Sequence, residues 1–374
     1  MTAIDVRPTP DAEAVAAAVA AALRTLDANL RSFGTRYPGD TTVGGRYPLR
    51  AANAGWTTSF WPGMLWLGYE ISGDDRYAGA ARNHVASYAD RIARRIDVDT
   101  HDLGFLYTLS CVVPWRLRAD ETAKTAALAA ADHLLTRVLP AAGIIQAWGD
   151  MNDPRQQGRT IIDSLMNTPL LFWASEVTGD PRYAAAARRH AIQLRDHILR
   201  PDGTTYHTFY WDPATGEPLR GETEQGSSDE SCWARGQAWG IYGFALNHRY
   251  TGDPTLLDAA RRCAGHFLAR LPADGVAYWD LEFGDGSGAE RDSSAAAIAV
   301  CGLLALGGDD YRAAALRILG SLIADYTAAE SALLLHGVYD KPKGIGVDEG
   351  TLWGDYFYLE ALTRVTRPDW TDPW

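Results

Sequence analysis

The chain lacks the residue patterns of a metal site, a disulfide framework or a nucleic-acid-binding protein. Its four cysteines are far apart and do not have the pairwise spacing of a zinc or redox motif. Acidic residues outnumber basic ones, 47 against 35, and the net charge of -12 disfavours nucleic acid and anionic membranes as partners. We therefore expect no metal and no cofactor. The four cysteines are predicted to be small buried residues: Cys111, Cys232, Cys263 and Cys301.

Apolar runs long enough to cross a membrane are also lacking, and no basic segment precedes an apolar block as in a signal peptide. The polar, proline-containing residues 1–9 are expected to be disordered. The rest of the 374 residues, with 47% hydrophobic and 22% charged residues overall, has the composition of a globular protein. We predict a single catalytic domain over 1–374, located in the cytoplasm, as a monomer or homodimer.

Aromatic residues, in contrast, are abundant. The chain has thirteen Trp and seventeen Tyr, and Trp56 and Trp148 are among those that stand beside glycine or polar residues. A flat ring can stack on the C–H face of a sugar, or it can fill a gap between helices. Either use is open for each tryptophan taken singly.

A repeated turn organises the chain. In Thr178-Gly179-Asp180-Pro181, glycine ends an apolar helix in the left-handed conformation and aspartate caps the next helix, with proline at its first position. Similar phrases begin at Ser72, Thr251 and Gly307. They predict helices at about 11–32, 59–71, 75–96, 102–117, 121–139, 163–177, 181–199, 229–250, 254–271, 293–306, 309–327 and 349–366.

These helices alternate in character along the chain. One helix of each pair is rich in Trp, Leu and Gly, whereas the other carries Arg, His and Asp on one face. A helix that is apolar all round belongs inside, and an amphipathic one belongs outside. We therefore predict an all-α fold, an (α/α)6 barrel of six inner and six outer helices. Aromatic alternation predicts short hairpins in two long connections, 204–211 and 276–282.

The long connections lead from outer to inner helices, so polar residues before the inner helices should meet at one rim. Asp163 lies there, at the head of an apolar helix. An aspartate in this position is commonly an N-cap, but it can also be a catalytic carboxyl. We interpret Asp292 and Asp348, at the same rim, as caps. The helix N-termini of the rim are suited to holding a substrate carboxylate.

Five phrases in order resemble the unsaturated glucuronyl hydrolases of glycoside hydrolase family 88. The resemblance extends from about Trp56 to Leu362 and implies the same (α/α)6 barrel. It implies cleavage of a terminal 4,5-unsaturated uronic acid from oligosaccharides that polysaccharide lyases release. The phrases are His101-Asp102-Leu103-Gly104-Phe105, Ile161 to Asn167, Tyr206-His207, Ser231 to Gly240, and Asp348-Glu349-Gly350 with Trp353-Gly354-Asp355-Tyr356.

In that family an acid protonates C4 of the C4=C5 enol ether, water adds at C5, and the product opens and expels the remaining sugar. The resemblance implies that Asp163 is the general acid/base and that Asp102 assists it. A carboxyl that donates a proton near neutral pH needs a raised pKa, which burial and a second carboxylate would supply. The resemblance also implies a substrate-binding set: Trp56, His101, Trp148, His207, Gln225, Trp233 and Arg235.

Arg235 has a second interpretation, a structural ion pair with Asp229 or Glu230. His101 can orient Asp102 or contact sugar. The remaining histidines, such as His84, His190 and His266, are expected to be solvated on outer helices.

Two features concern the sugar beyond the cleaved bond. Glu224 precedes Gln225 where family members often have histidine, and an extra acid there would repel an anionic substituent. Lys341 and Lys343 precede the last inner helix. They would either bind a sulfate or carboxylate on that second sugar or simply be solvated. Fragments of chondroitin, hyaluronan, heparin, gellan, xanthan or ulvan share the terminal unsaturated uronate, so its source stays open.

Three alternatives remain. An unsaturated rhamnogalacturonyl hydrolase would have the same barrel and chemistry, but His101-Asp102 and 232–240 are closer to the glucuronyl enzymes. A sugar epimerase of the same fold would use paired histidines, whereas the motif positions here are rich in aspartate. A non-catalytic sugar-binding protein would keep its binding after mutation of Asp163.

Overall fold

The computed structural model describes residues 9–153, 156–327 and 330–374, and the disorder expected for 1–9 falls on residues outside these ranges except for residue 9. Helices form most of the regular structure. Their bounds are α1 Ala12–Phe33, α2 Phe60–Ser72, α3 Asp75–Arg82, α4 Val85–Ala93, α5 Leu103–Tyr107, α6 Val113–Arg118, α7 Glu121–Leu135, α8 Pro169–Thr178, α9 Pro181–His197, α10 Ala234–Thr251, α11 Pro254–Ala269, α12 Ser293–Leu306, α13 Asp309–Asp325 and α14 Leu352–Thr366.

The alternation in character separates an inner from an outer layer. In α10 every residue from Ala234 to Asn247 is buried, and in α12 every residue from Ser293 to Leu303. Helices α2, α5 with α6, and α8 continue this inner set, and α14 contacts both α12 and α2. The amphipathic α1, α3, α4, α7, α9, α11 and α13 pack around it.

The Gly-Asp turns form largely as predicted. Gly73, Gly179 and Gly252 end inner helices in the left-handed conformation. The following Asp74, Asp180 and Asp253 each accept a hydrogen bond from the first turn of the next helix. The fourth turn differs, because Gly308 rather than an aspartate occupies the N-cap of α13.

Several predicted helices are interrupted or shorter. The 75–96 helix breaks between α3 and α4, and a π-helical turn, Thr108–Val112, lies between α5 and α6. The 163–177 helix begins as a 3-10 turn, Ile162–Met166, and α8 starts only at Pro169. Proline lacks the N–H that an interior position needs but fits the first turn of a helix.

Small antiparallel sheets lie in the connections from outer to inner helices, and only the one near 204–211 was predicted. Near 204–211 the predicted hairpin is confirmed, since the strand Thr208–Trp211 pairs with Pro218–Glu222 and also with Arg159–Ile161. In 276–282 only isolated bridges form, between Trp233 and Asp280 and between Tyr278 and Arg291. The strands are β1 Tyr37–Pro38, β2 Leu49–Arg50, β3 Val138–Leu139, β4 Ile144–Ile145, β5 Arg159–Ile161, β6 Thr208–Trp211, β7 Pro218–Glu222, β8 Gly337–Asp340 and β9 Ile345–Glu349.

Two further predictions concern the burial of the cysteines and the lack of membrane-spanning helices. All four cysteines are buried and free, as predicted. Within the described ranges, none of the helices combines the length and the hydrophobicity needed to cross a bilayer.

Candidate active site

Side chains from the loops that enter the inner helices line a cavity of about 230 Å³. It brings together every residue predicted for the site: Trp56, His101, Asp102, Trp148, Asp163, His207, Gln225, Trp233 and Arg235. A larger cavity of about 550 Å³ lies near the C-terminal ends of the inner helices, between Glu70 and Trp374, and contains none of them. The chemistry of the predicted residues therefore belongs to the smaller cavity.

Two carboxyls meet on either side of a buried imidazole. His101 Nε2 lies 3.3 Å from Asp102 Oδ1 and 3.4 Å from Asp163 Oδ1. The His101 ring is buried, whereas the side chains of Asp102 and Asp163 are 14% and 18% exposed towards the cavity. Neither Oδ1 atom has a well-directed hydrogen bond within the described chain, so the contacts with His101 are chiefly electrostatic.

Their surroundings push the pKa values of the two carboxyls apart. Burial and the charge of Asp102 raise the pKa of Asp163 to about 6, against the opposing charges of His101 and Arg235. Burial also disfavours the Asp102 carboxylate, but the charge of His101 and the hydrogen bond from Thr100 outweigh it and lower the pKa of Asp102 below its ordinary value. One carboxyl is thus disposed to hold a proton and the other to be ionised, as in an acid/base pair.

The capping interpretation of Asp163 is wrong. The N-cap position of its 3-10 turn is Ile161, and no side chain caps that turn. Asp292 is a cap, since its carboxylate accepts hydrogen bonds from Ser294 N and Ala295 N. Asp348 is not, because it lies in a left-handed backbone conformation and contacts His336 Nδ1 at 2.7 Å. Thr351 caps α14 instead.

Asn167 joins the two carboxyl-bearing segments. Its Oδ1 accepts a hydrogen bond from Phe105 N at 2.7 Å, and its Nδ2 donates to Asp163 O at 3.4 Å. A Cβ at Gly104 would lie 2.2 Å from Asn167 Cα, so only glycine permits this close approach. Thr100 also fixes the Asp102 side chain, because its Oγ1 donates a hydrogen bond to Asp102 Oδ2 at 2.7 Å.

Arg235 forms a buried ion pair, but not with the predicted partners. Its Nη1 lies 3.2 Å from Asp292 Oδ2, rather than near Asp229 or Glu230. Its Nη2 donates to Tyr339 O at 2.8 Å. Trp233 and Trp353 flank the guanidinium, with their ring centroids 4.3 and 4.9 Å from its central carbon. These contacts hold the positively charged guanidinium of Arg235 in one position at the wall of the cavity.

His207 is held as a neutral ring. Its Nδ1 accepts hydrogen bonds from Glu224 N and Gln225 N at 3.0 and 3.2 Å, which assigns the ring proton to Nε2. Burial, with the charge of Arg235, lowers the pKa of His207 to about 3. The ring packs on Trp233 with 4.3 Å between centroids. His207 can therefore donate one hydrogen bond from Nε2 without carrying charge.

The two predicted stacking tryptophans are each held by a neighbour. Trp56 Nε1 donates to Tyr339 Oη at 3.1 Å. The guanidinium of Arg159 lies 4.0 Å from the ring centroid of Trp148. Arg159 is also 3.9 Å from Glu224 Oε1, so the extra acid beside Gln225 is partly neutralised.

Comparison with known proteins decides the family. The sequence model of Glycosyl Hydrolase Family 88 matches residues 35–363. The chain belongs to glycoside hydrolase family 88. It is 46% identical to the unsaturated chondroitin disaccharide hydrolase of Streptococcus pyogenes serotype M1, over 97% of this chain and 93% of that protein.

Two further relatives agree. The unsaturated glucuronyl hydrolase of Bacillus sp. (strain GL1) is 46% identical, over 94% of this chain and 96% of that protein. The crystal structure of the unsaturated glucuronyl hydrolase from Streptococcus agalactiae superposes with a TM-score of 0.95 at 44% identity, covering 98% of this chain and 95% of that one. This family 88 chain is therefore a glycosidase, and none of these relatives is named as a rhamnogalacturonyl hydrolase or an epimerase.

The donor set of this family 88 site suits proton transfer better than metal binding. Ligand atoms of His101, Asp102 and Asp163 lie within 4.8 Å of one another, a spacing that a cation could use. A metal-bound histidine normally donates its other ring N–H to an acceptor. Nδ1 of His101 is buried and has no hydrogen-bond partner in the described part of the chain, so that support is lacking.

Sequence reasoning missed two buried arginines that hold the tryptophan loops of the family 88 site. Arg91 Nη2 donates to Gly55 O at 3.0 Å, next to Trp56. Arg137 Nη2 donates to Gly149 O at 3.1 Å, next to Trp148. Their position near the end of an outer helix, before a long connection, is the one signal that could have indicated them.

The histidine prediction fails for two of the three residues. His84 and His190 are buried rather than solvated, and only His266 is partly exposed. His190 faces inward from α9 and His84 from the break between α3 and α4, which a polar residue can do where the ring is desolvated and neutral.

Proposed function

We propose that this glycosidase releases a terminal 4,5-unsaturated uronic acid from lyase-generated oligosaccharides by hydrating the C4=C5 enol ether. The names of the relatives support this substrate class. The observation that carries the proposal is the opposite shift in pKa of Asp163 and Asp102 at one wall of an aromatic-lined cavity. Addition to an enol ether requires a proton donor first and a base for water afterwards.

In the proposed reaction Asp163 donates its proton to C4 and leaves an oxocarbenium ion at C5. A water oxygen then bonds to C5, and the proton it loses restores the acid form of Asp163. The hemiketal opens at the C5–O5 bond, and the resulting hemiacetal at C1 collapses and releases the remaining sugar as an alcohol. One water is consumed. Since no displacement occurs at C1, the carboxyl separation does not indicate retention or inversion.

The other cavity residues are assigned to binding. Trp56 and Trp148 stack on sugar rings. His207, through Nε2–H, and Gln225 contact the uronate or the attacking water. Arg235, with Trp233 against its guanidinium, faces the substrate carboxylate as a fixed positive charge.

The deciding experiment follows the ultraviolet absorbance of the conjugated uronate when the protein is added to a panel of lyase-generated unsaturated disaccharides. We expect the absorbance to fall and a free second sugar to appear in equal amount. An unchanged absorbance across the panel would reject hydration. Racemised reducing sugar would then indicate an epimerase, and binding without reaction a sugar-binding protein.

The rate should depend on pH through the acid form of Asp163. Since the pKa of this carboxyl is raised to about 6, the proton is present below that pH and lost above it. We therefore expect kcat to fall with rising pH beyond about 6, approaching tenfold per pH unit. Initial rates of absorbance loss at saturating substrate measure this limb, and a kcat that rises from pH 6 to 8 would contradict it.

The lysine pair stays a hypothesis about the second sugar. Lys343 lines the cavity, but its Nζ is 2.8 Å from Asp340 Oδ2, and Lys341 pairs with Glu290. If these lysines bind a sulfate on the second sugar, replacing both with Ala should raise KM for sulfated disaccharides about tenfold more than for unsulfated ones. Equal loss for both substrates would reject the hypothesis.

We also propose that the helices form one (α/α)6-barrel domain over 1–374, supported by the contact of α14 with α2. A cytoplasmic location and a monomeric or homodimeric state complete the proposal. Cell fractionation and light scattering after gel filtration test these two points.

A further inference from the structure

A continuous chain of hydrogen bonds links an outer helix to the turn that carries Asp163. His190, on α9, is fully buried, and its Nδ1 accepts a hydrogen bond from Ile145 N at 3.0 Å. Its Nε2 lies 2.7 Å from Ser164 Oγ, which in turn contacts Ile161 O at 2.5 Å. Three segments that are distant in sequence thus meet at one imidazole.

The positions of the protons in this chain of hydrogen bonds are determined by Ile145 N at one end and Ile161 O at the other. Because Ile145 N–H can only donate, Nδ1 of His190 is the acceptor and the ring proton is on Nε2. Nε2–H therefore donates to Ser164 Oγ, and the hydroxyl proton of Ser164 goes to Ile161 O. A second proton on His190, at Nδ1, would place this N–H face to face with the N–H of Ile145. The hydrogen-bond chain therefore requires a neutral imidazole ring.

Both ends of the chain lead to the catalytic cavity. Ser164 directly follows Asp163 in the short 3-10 turn, and Ile145 lies in β4, three residues before Trp148. The Asp163 carboxyl lacks a well-directed hydrogen bond at Oδ1 within the described residues, so its direction depends on how the turn is held. The geometry therefore makes the outer layer part of the support for the acid.

We propose that His190 is a positioning residue, which acts through Ser164 to aim the Asp163 carboxyl. This inference rests on the proposed role of Asp163. A misplacement of about 1 Å in a catalytic group can cost about 100-fold in rate. His190 touches no substrate in this proposal, so its loss should lower kcat and leave KM nearly unchanged.

The test compares His190→Leu with His84→Leu by measuring kcat, KM and Tm on an unsaturated disaccharide. His84 is also buried on the outer layer, and its ring packs on Tyr37 with 4.9 Å between centroids. We expect both variants to lose stability, but only His190→Leu to lose about 10- to 100-fold in kcat with KM within threefold. An unchanged kcat in His190→Leu, or an equal loss in His84→Leu, would overturn the proposal.

Two polar variants keep the test decisive if the leucine variant does not fold. His190→Gln extends an amide to the position of Nε2 and can still donate to Ser164, whereas His190→Asn reaches only to the position of Nδ1. We expect Gln to retain more of kcat than Asn, and Ser164→Ala to remove that difference. Equal kcat for Gln and Asn would contradict positioning through Ser164. Wild-type turnover in the same assay separates failure of this inference from failure of the proposed function.

Discussion

Asp163→Asn is expected to lower kcat on unsaturated disaccharides by about 10³-fold, with little change in KM. The amide has nearly the same shape as the carboxyl, but it cannot give a proton to C4 or take one from water. General acid/base catalysis by one positioned group typically contributes about 10²- to 10⁴-fold. Initial rates of absorbance loss at saturating substrate measure the effect, and binding of substrate to the variant by calorimetry verifies that the cavity is intact.

Asp348→Asn is the matched control for this prediction. It makes the same carboxyl-to-amide change at the same rim, but Asp348 is 58% exposed and contacts His336 rather than the two carboxyls. We expect its kcat to remain within twofold of wild type. If Asp163→Asn kept more than a tenth of the wild-type kcat while Asp348→Asn did not, the assignment of the acid would be wrong.

Those parts of the fold that depend only on residues adjacent in the sequence could be predicted from the sequence. In three of the four Gly-Asp turns the glycine takes the left-handed conformation and the aspartate caps the next helix, as at Gly179 and Asp180. The β8–β9 hairpin was not predicted, because the sequence at its turn is marked by Lys341 and Lys343 rather than by aromatic alternation. The 276–282 hairpin was not formed, since only isolated bridges occur there, from Asp280 to Trp233 and from Tyr278 to Arg291, rather than two paired strands.

The predicted site residues lie together in the structure, but the predicted ion-pair partners of Arg235 are wrong. Family phrases carry residue types in order, and the structure brings the predicted catalytic and substrate-binding residues to one cavity. The partner of Arg235 is Asp292, 57 residues away at the N-cap of another helix, and no local spacing indicates such a pair. His190 was predicted to be a solvated outer-helix residue because its hydrogen-bond donor, Ile145 N, and its acceptor, Ser164 Oγ, are 45 and 26 residues away, in the connection between α7 and α8.

Asp292→Asn is expected to lower the free energy of unfolding by about 3–5 kcal/mol, the usual cost of removing one partner of a buried ion pair. Arg235 and Asp292 are 1% and 0% exposed, so water cannot replace the lost charge. The asparagine can still cap α12 through its oxygen, which leaves the unpaired guanidinium as the main cause. Equilibrium denaturation followed by tryptophan fluorescence measures the change.

Asp253→Asn separates the lost ion pair from the altered cap. Asp253 caps α11 through Thr255 N and Thr255 Oγ1, as Asp292 caps α12 through Ser294, but its partner Arg188 is 56% exposed. An exposed pair contributes about 0–1 kcal/mol, so this variant should remain within about 1 kcal/mol of wild type. Equal losses in both variants would assign the cost to capping. A loss confined to Asp292→Asn, with a raised KM, would instead indicate that this carboxylate holds Arg235 both for the fold and towards the substrate.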